Sequence, residues 1–174
     1  MLNLSGYLLL LGTDSACASV AIGIHVRDGS IKWQLPLAFA VCDGVGSFLG
    51  PVAQVSRVVD RNAAQAITLA AYVIAAVALL IIARRPMGRS GSCLLRWIAL
   101  IAVPLLLSAD NFFAPRALPM GWTLGILATM TAVSSYLMAL FGLAVGNAIR
   151  MRQGRLVWAT LASLTLFATA WVAA

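Results

Sequence analysis

Apolar residues run along this chain in long unbroken stretches, and short polar segments between them hold nearly all of the charge. A helix that crosses a bilayer needs roughly 20 apolar residues. Six stretches reach that length, at about 4–26, 34–54, 63–83, 94–114, 121–146 and 156–172. The pattern predicts an all-α integral membrane protein: one bundle of six transmembrane helices, with almost nothing left for a soluble domain. The clearest linker is Arg84-Arg85-Pro86-Met87-Gly88-Arg89-Ser90-Gly91-Ser92, which is polar and rich in breakers. With the linker at 84–93, the chain divides into halves of three helices each, 1–83 and 94–174.

The halves carry matching landmarks. Leu9-Leu10-Leu11-Gly12-Thr13-Asp14-Ser15 in the first corresponds to Leu105-Leu106-Leu107-Ser108-Ala109-Asp110-Asn111 in the second. A weaker match sets Ser47-Phe48-Leu49-Gly50 beside Ala139-Leu140-Phe141-Gly142. An odd number of helices per half places the halves in opposite orientations across the bilayer. The expected architecture is therefore two inverted three-helix repeats, an arrangement that builds transport sites near mid-membrane where the repeats meet.

Composition sharpens this picture. The 174 residues are 62% hydrophobic and 10% charged, with a mean hydropathy of +0.97, which excludes an ordinary soluble domain. The net charge of +7 would suggest nucleic acid in a soluble protein, but in a membrane protein it reports orientation. Nine basic residues fall in the segments after the first, third and fifth spans: Arg27, Lys32, Arg84, Arg85, Arg89, Arg96, Arg150, Arg152 and Arg155. Only Arg57, Arg61 and Arg116 fall on the other side. The bias predicts a cytoplasmic linker and both termini outside. Tyr7, Trp33, Trp97, Trp122, Trp158 and Trp171 sit near span ends, where amphipathic rings prefer to be. The partners expected are the bilayer itself and anionic lipid heads at Arg84, Arg85 and Arg89, with no nucleic acid and with a homo-oligomer left open. Ala16-Cys17-Ala18 imitates a signal-peptide cleavage site, but there is no basic segment before it and Asp14 interrupts the apolar run, so cleavage is not expected.

The candidate chemistry lies in the acids. The chain has five aspartates and no glutamate, and Asp28 and Asp60 fall in loops. Asp14, Asp43 and Asp110 fall inside predicted spans, where an ionised carboxylate costs roughly 2.5–3.5 kcal/mol on insertion scales. No basic residue lies at their depth, so each must protonate, bond to a neighbour or hold a cation. A helix rise of about 1.5 Å per residue places Asp14 roughly 10 Å below the outer face and Asp110 roughly 20 Å above the inner face of a ~30 Å core. Asp43 falls near the midplane, so a shared site is geometrically feasible.

Small residues surround these acids. Ala40, Asp43, Ser47 and Gly50 share one helix face, as do Asp14, Cys17, Ala18 and Ala21, and Ser135, Ala139, Gly142 and Gly146 form a stripe suited to close helix packing. Gly12, Pro104, Ser108, Pro115 and Pro119 can weaken helices beside the acids, turning backbone carbonyls toward a cation. Thr13, Ser15, Ser108 and Asn111 offer side-chain oxygens. An all-oxygen set favours Mn²⁺, Mg²⁺ or Ca²⁺, whereas Cys17 and Cys42 would tilt the preference toward Cd²⁺ or Zn²⁺. The three cysteines form no Cys-x-x-Cys pair and read first as small buried apolar groups. His25, at a span end, reads as an interface residue. No nucleotide-binding, zinc-protease or nucleophile-elbow motif is present, so no enzyme activity and no tightly bound cofactor are expected.

Three segments carry a family resemblance: Asp14-Ser15-Ala16-Cys17-Ala18-Ser19, Phe39-Ala40-Val41-Cys42-Asp43-Gly44 leading to Gly50, and Asp110-Asn111-Phe112-Phe113. Together they resemble the bacterial manganese exporters of the lysine-exporter superfamily, small six-helix transporters of the bacterial inner membrane. The resemblance implies efflux of a divalent cation coupled to protons, with Asp14 and Asp110 as the ligand pair and Asp43 in the matching second-helix stretch. Three other readings stay open: export of a cationic amino acid or amine on the same fold, thiol-based electron transfer, and a non-transporting membrane subunit whose aspartates only join helices.

Overall fold

The computed structural model describes residues 12–25, 31–55, 61–84, 93–113 and 123–150. All described elements are helical: α1 (Thr13–His25), α2 (Ile31–Val55), α3 (Arg61–Arg84), α4 (Cys93–Trp97), α5 (Val103–Leu107), α6 (Ala109–Phe113) and α7 (Leu124–Arg150). A π-helical turn, Ile98–Ala102, joins α4 to α5, so that α4, α5 and α6 make up one interrupted span, the fourth of those expected. Among the described residues four segments are long and apolar enough to cross a membrane: Ile31–Val52, Asn62–Ile82, Leu94–Phe113 and Leu124–Ile149. These coincide with the second to fifth expected spans. The first expected span is described only from Gly12 onward, and the sixth, like residues 85–92 of the linker, lies outside the described residues.

The distribution of polarity is that of a protein solvated by lipid. Val41, Val45, Phe48, Leu49 and Val52 of α2 face outward, as do Val133, Leu137 and Phe141 of α7. Polar side chains are instead turned inward: Asp43, Ser15, Ser19, Ser47, Asn111, Thr131 and Ser135 are buried. In water such an arrangement would lose hydrophobic burial and solvation together. In hydrocarbon it is the stable one, because apolar surface is at home outside and polar groups must find partners within. The chain is a membrane protein whose exposed faces are built for lipid. Trp33 and Trp97, each 58% exposed, mark one end of the bundle, where Arg96 Nη2 also donates to Gln34 Oε1 at 3.2 Å.

The core changes character along the bundle axis. At the Trp33 and Trp97 end it is apolar, made of Ile31, Leu35, Phe39, Leu79, Ile82, Leu95 and Ala99. Beyond Phe39 it becomes polar, beginning with Asp43 one turn further along α2. α7 packs most extensively on α1 and α2, and α2 also meets α6.

The interruption of the fourth span follows from Pro104. Proline has no backbone N–H, and its ring crowds the carbonyl four residues earlier. The chain widens ahead of it into the π turn, in which the Val103 N–H bonds to Ile98 O. A second break follows at Ser108 (φ −75°, ψ −4°), whose Oγ donates to Leu105 O at 2.9 Å. The expected weakening of this helix is thus found at Pro104 and Ser108. Pro115 and Pro119 lie outside the described residues.

Candidate functional site

Asp43 is the centre of the buried polar region. Its side chain is 0% exposed, and its two oxygens are bonded from opposite sides. Ser15 Oγ of α1 donates to Oδ2 at 3.1 Å, and Asn111 Nδ2 of α6 donates to Oδ1 at 3.1 Å. Ser135 of α7 lies near enough to interact with the carboxylate, yet its Oγ, buried at 0% exposure, completes no hydrogen bond of acceptable geometry. Asp110, half-buried on α6, is close enough for its charge to act on Asp43. Among the described residues no Lys, Arg or His meets the Asp43 carboxylate.

The two segments matched in sequence take the same local form. Gly12 and Ser108 each occupy a turn position directly before a helix. The Ala16 N–H bonds to Gly12 O at 3.0 Å, and the equivalent Phe112 N–H bonds to Ser108 O at 3.3 Å. Asp14 Oδ1 accepts the Ser15 N–H at 2.8 Å, and Asp110 Oδ1 accepts the Asn111 N–H at 2.7 Å. First-turn N–H groups have no partner inside their own helix, so each acid secures one of them. In both segments the residue after the acid then reaches Asp43.

Close backbone approach holds this arrangement together. A Cβ on Gly50 would lie 2.5 Å from Asn111 O and 2.9 Å from Phe112 O, and one on Gly142 would run into Ala16 O. Ala16 and Phe112 are equivalent positions of the first match, and Gly50 and Gly142 of the second. The same correspondence relates Gly46 against Ser108 to Met138 against Gly12. Small residues therefore let α1 run close beside α7, and α6 close beside α2, as the small-residue stripes predict.

The remaining candidates sit as follows. Thr13 is half-buried at the start of α1, and Asp14 is 9% exposed. Ser108 Oγ is committed to the helix break. Cys17 and Cys42 are half-buried and belong to no disulfide among the described residues. Among the described residues no three His, Cys, Asp or Glu side chains form a group able to hold a metal ion. What the structure gathers around Asp43 is a second carboxylate, two hydroxyls and an amide. In the sequence Ser135 belongs to a packing stripe with Ala139, Gly142 and Gly146. The signal that finds it is the second landmark match, which, extended back by four residues, sets Ser135 at the position of Asp43.

No family model, curated protein or solved structure matches this chain.

Proposed function

We propose that this chain is a secondary-active exporter of a hard divalent cation, which binds at Asp43 and exchanges for protons. The observation that carries the reading is Asp43 itself, fully buried in a lipid-facing bundle with no cationic side chain against it among the described residues. A carboxylate in that setting is stable when protonated or when it holds a positive ligand. Asp43 and Asp110 together match the charge of a dication. Ser15 and Ser135 hydroxyls and the Asn111 carbonyl oxygen, after rotation of its amide, add neutral ligands of the kind that Mn²⁺, Mg²⁺ and Ca²⁺ accept. When the cation departs, protons take its place on the two acids, and no net charge stays stranded in hydrocarbon. Ser15 and Asn111 both bond to Asp43 directly, a spacing that suits a small ion and not an amino acid.

The inverted repeat belongs to the same proposal. Its support is the paired behaviour of Gly12 with Ser108, Asp14 with Asp110, Ser15 with Asn111, and Gly50 with Gly142. Two repeats of opposite orientation would place Asp43 and Ser135 at equivalent positions beside their common axis. The apolar plug headed by Phe39 closes the Trp33 end, which the basic residues assign to the cytoplasm, with both termini outside. Cation entry then requires that plug to part. Outward direction and residence in a bacterial inner membrane follow from the resemblance to the manganese exporters.

The test is Mn²⁺ flux into proteoliposomes carrying the full chain and an imposed pH gradient. Flux is expected in the wild type and is expected to be lost in Asp110→Asn. Wild-type rates in both Asp43→Asn and Asp110→Asn would overturn the proposal.

A second reading has its own observation. Both Asp43 oxygens are already hydrogen-bonded, and each neighbouring acid bonds to a backbone N–H. That is how a structural knot joining α1, α2 and α6 would look in a non-transporting membrane subunit. Absence of flux together with co-purification of a fixed partner would favour it.

A further inference from the structure

At the Trp33 end of the bundle, away from Asp43, a cleft of about 270 Å³ opens between α1, α2 and α7. Its walls are Gly23, Leu140, Leu143 and Ala144, and its polar groups are Lys32 and Asn147. Gly23 contributes no side chain, and a Cβ there would meet Leu143 O at 3.1 Å, so α1 and α7 pack closely beside the cleft. Lys32 is the chain's sole lysine. Neither its ammonium nor the Asn147 amide makes a hydrogen bond or ion pair among the described residues. The neighbouring Trp33 ring is 58% exposed. An exposed indole at a span end marks the depth of the headgroups, so the mouth of the cleft lies at that level and its leucine wall below it.

The geometry points to a binding site for one anionic phospholipid, with its phosphate on Lys32 and Asn147 and an acyl chain along Leu140, Leu143 and Ala144. A cation and an amide donor above an apolar wall complement that ligand at both ends. Inorganic phosphate would satisfy only the upper part, and a zwitterionic lipid would bring its own ammonium toward Lys32. The proposal rests on α1, α2 and α7 alone, and it does not depend on what Asp43 binds.

Native mass spectrometry of the detergent-solubilised full chain tests it, with phosphatidylglycerol and phosphatidylcholine titrated separately. An Arg84/Arg85/Arg89→Gln background removes the competing linker charge. In that background Lys32→Gln is expected to weaken phosphatidylglycerol binding about fivefold, the equivalent of ~1 kcal/mol per basic residue at an anionic surface. Phosphatidylcholine binding should stay unchanged, and Lys32→Arg should restore the preference. Leu140→Trp, which fills the cleft from a lipid-facing position, should remove the preference while leaving Lys32 in place. Equal phosphatidylglycerol affinity with and without Lys32, or displacement of the lipid by millimolar inorganic phosphate, would overturn the assignment.

Discussion

The Asp43→Asn protein is expected to fold and insert normally yet to lose Mn²⁺ flux by more than about 100-fold. Even groups that only orient a metal ligand are worth roughly 10- to 100-fold in affinity or activity, and Asp43 is the ligand itself in this proposal. The fold should survive because an amide can replace both hydrogen bonds. Its oxygen can accept from Asn111 Nδ2, and its nitrogen can donate to Ser15 Oγ, since a hydroxyl both donates and accepts. Asp43→Ala should behave differently. It leaves the Ser15 hydroxyl and the Asn111 amide buried without their acceptor, and each such loss costs about 1–3 kcal/mol. Proteoliposome flux read beside unfolding in micelles separates the two variants. A structural knot in a non-transporting subunit predicts no flux even in the wild type and Asp43→Asn of wild-type stability, whereas a cation site predicts wild-type flux that is lost in a stable Asp43→Asn protein.

The second large effect is expected at the helix contacts. Gly142→Leu should prevent stable packing of α1 on α7, because even a Cβ would meet Ala16 O and would lie 2.9 Å from Ser19 Cβ. The obstacle is backbone, so α1 must move as a whole. Overpacking a close contact typically costs about 1–3 kcal/mol, and the larger side chain adds to that. Gly50→Ala, whose Cβ would lie 2.5 Å from Asn111 O, should lower stability to a similar extent as Gly142→Ala if the two contacts are equivalent. Gly125→Ala is the control. It is exposed and meets only Thr123 Oγ1 at 3.9 Å, so relief of helical glycine should leave it neutral or stabilised by roughly 0.5–1 kcal/mol. Denaturant midpoints for these variants in one detergent make the comparison.

Much of this arrangement can be read from the chain. Apolar run length gives the second to fifth spans, because lipid imposes one length on every helix. The break beside Asp110 follows from Pro104 and Ser108, whose local chemistry does not depend on neighbours. The stripe Ser135, Ala139, Gly142, Gly146 announces a close helix contact, and Gly142 and Gly146 do pack against α1. What sequence does not give is azimuth. Rise per residue fixes the depth of Asp14 and Asp110, but consecutive side chains point about 100° apart around a helix of 3.6 residues per turn. Ser15 and Asn111, not the acids before them, therefore supply the bonds to Asp43. The choice of α7 as the neighbour of both α1 and α2 is likewise a property of the assembled bundle. The landmark match pairs Ser135 with Asp43 in sequence, but only the packing of α7 on α2 brings the two together.

An anomalous-difference map from crystals of the full chain grown with Mn²⁺ addresses the Asp43 site most directly. A cation exporter should show a single peak within coordinating distance of the Asp43 carboxylate and the Ser135 hydroxyl, with Asn111 turned to present its carbonyl oxygen. A map without density there at saturating Mn²⁺, with Ser15 and Asn111 still donating to Asp43, would contradict it.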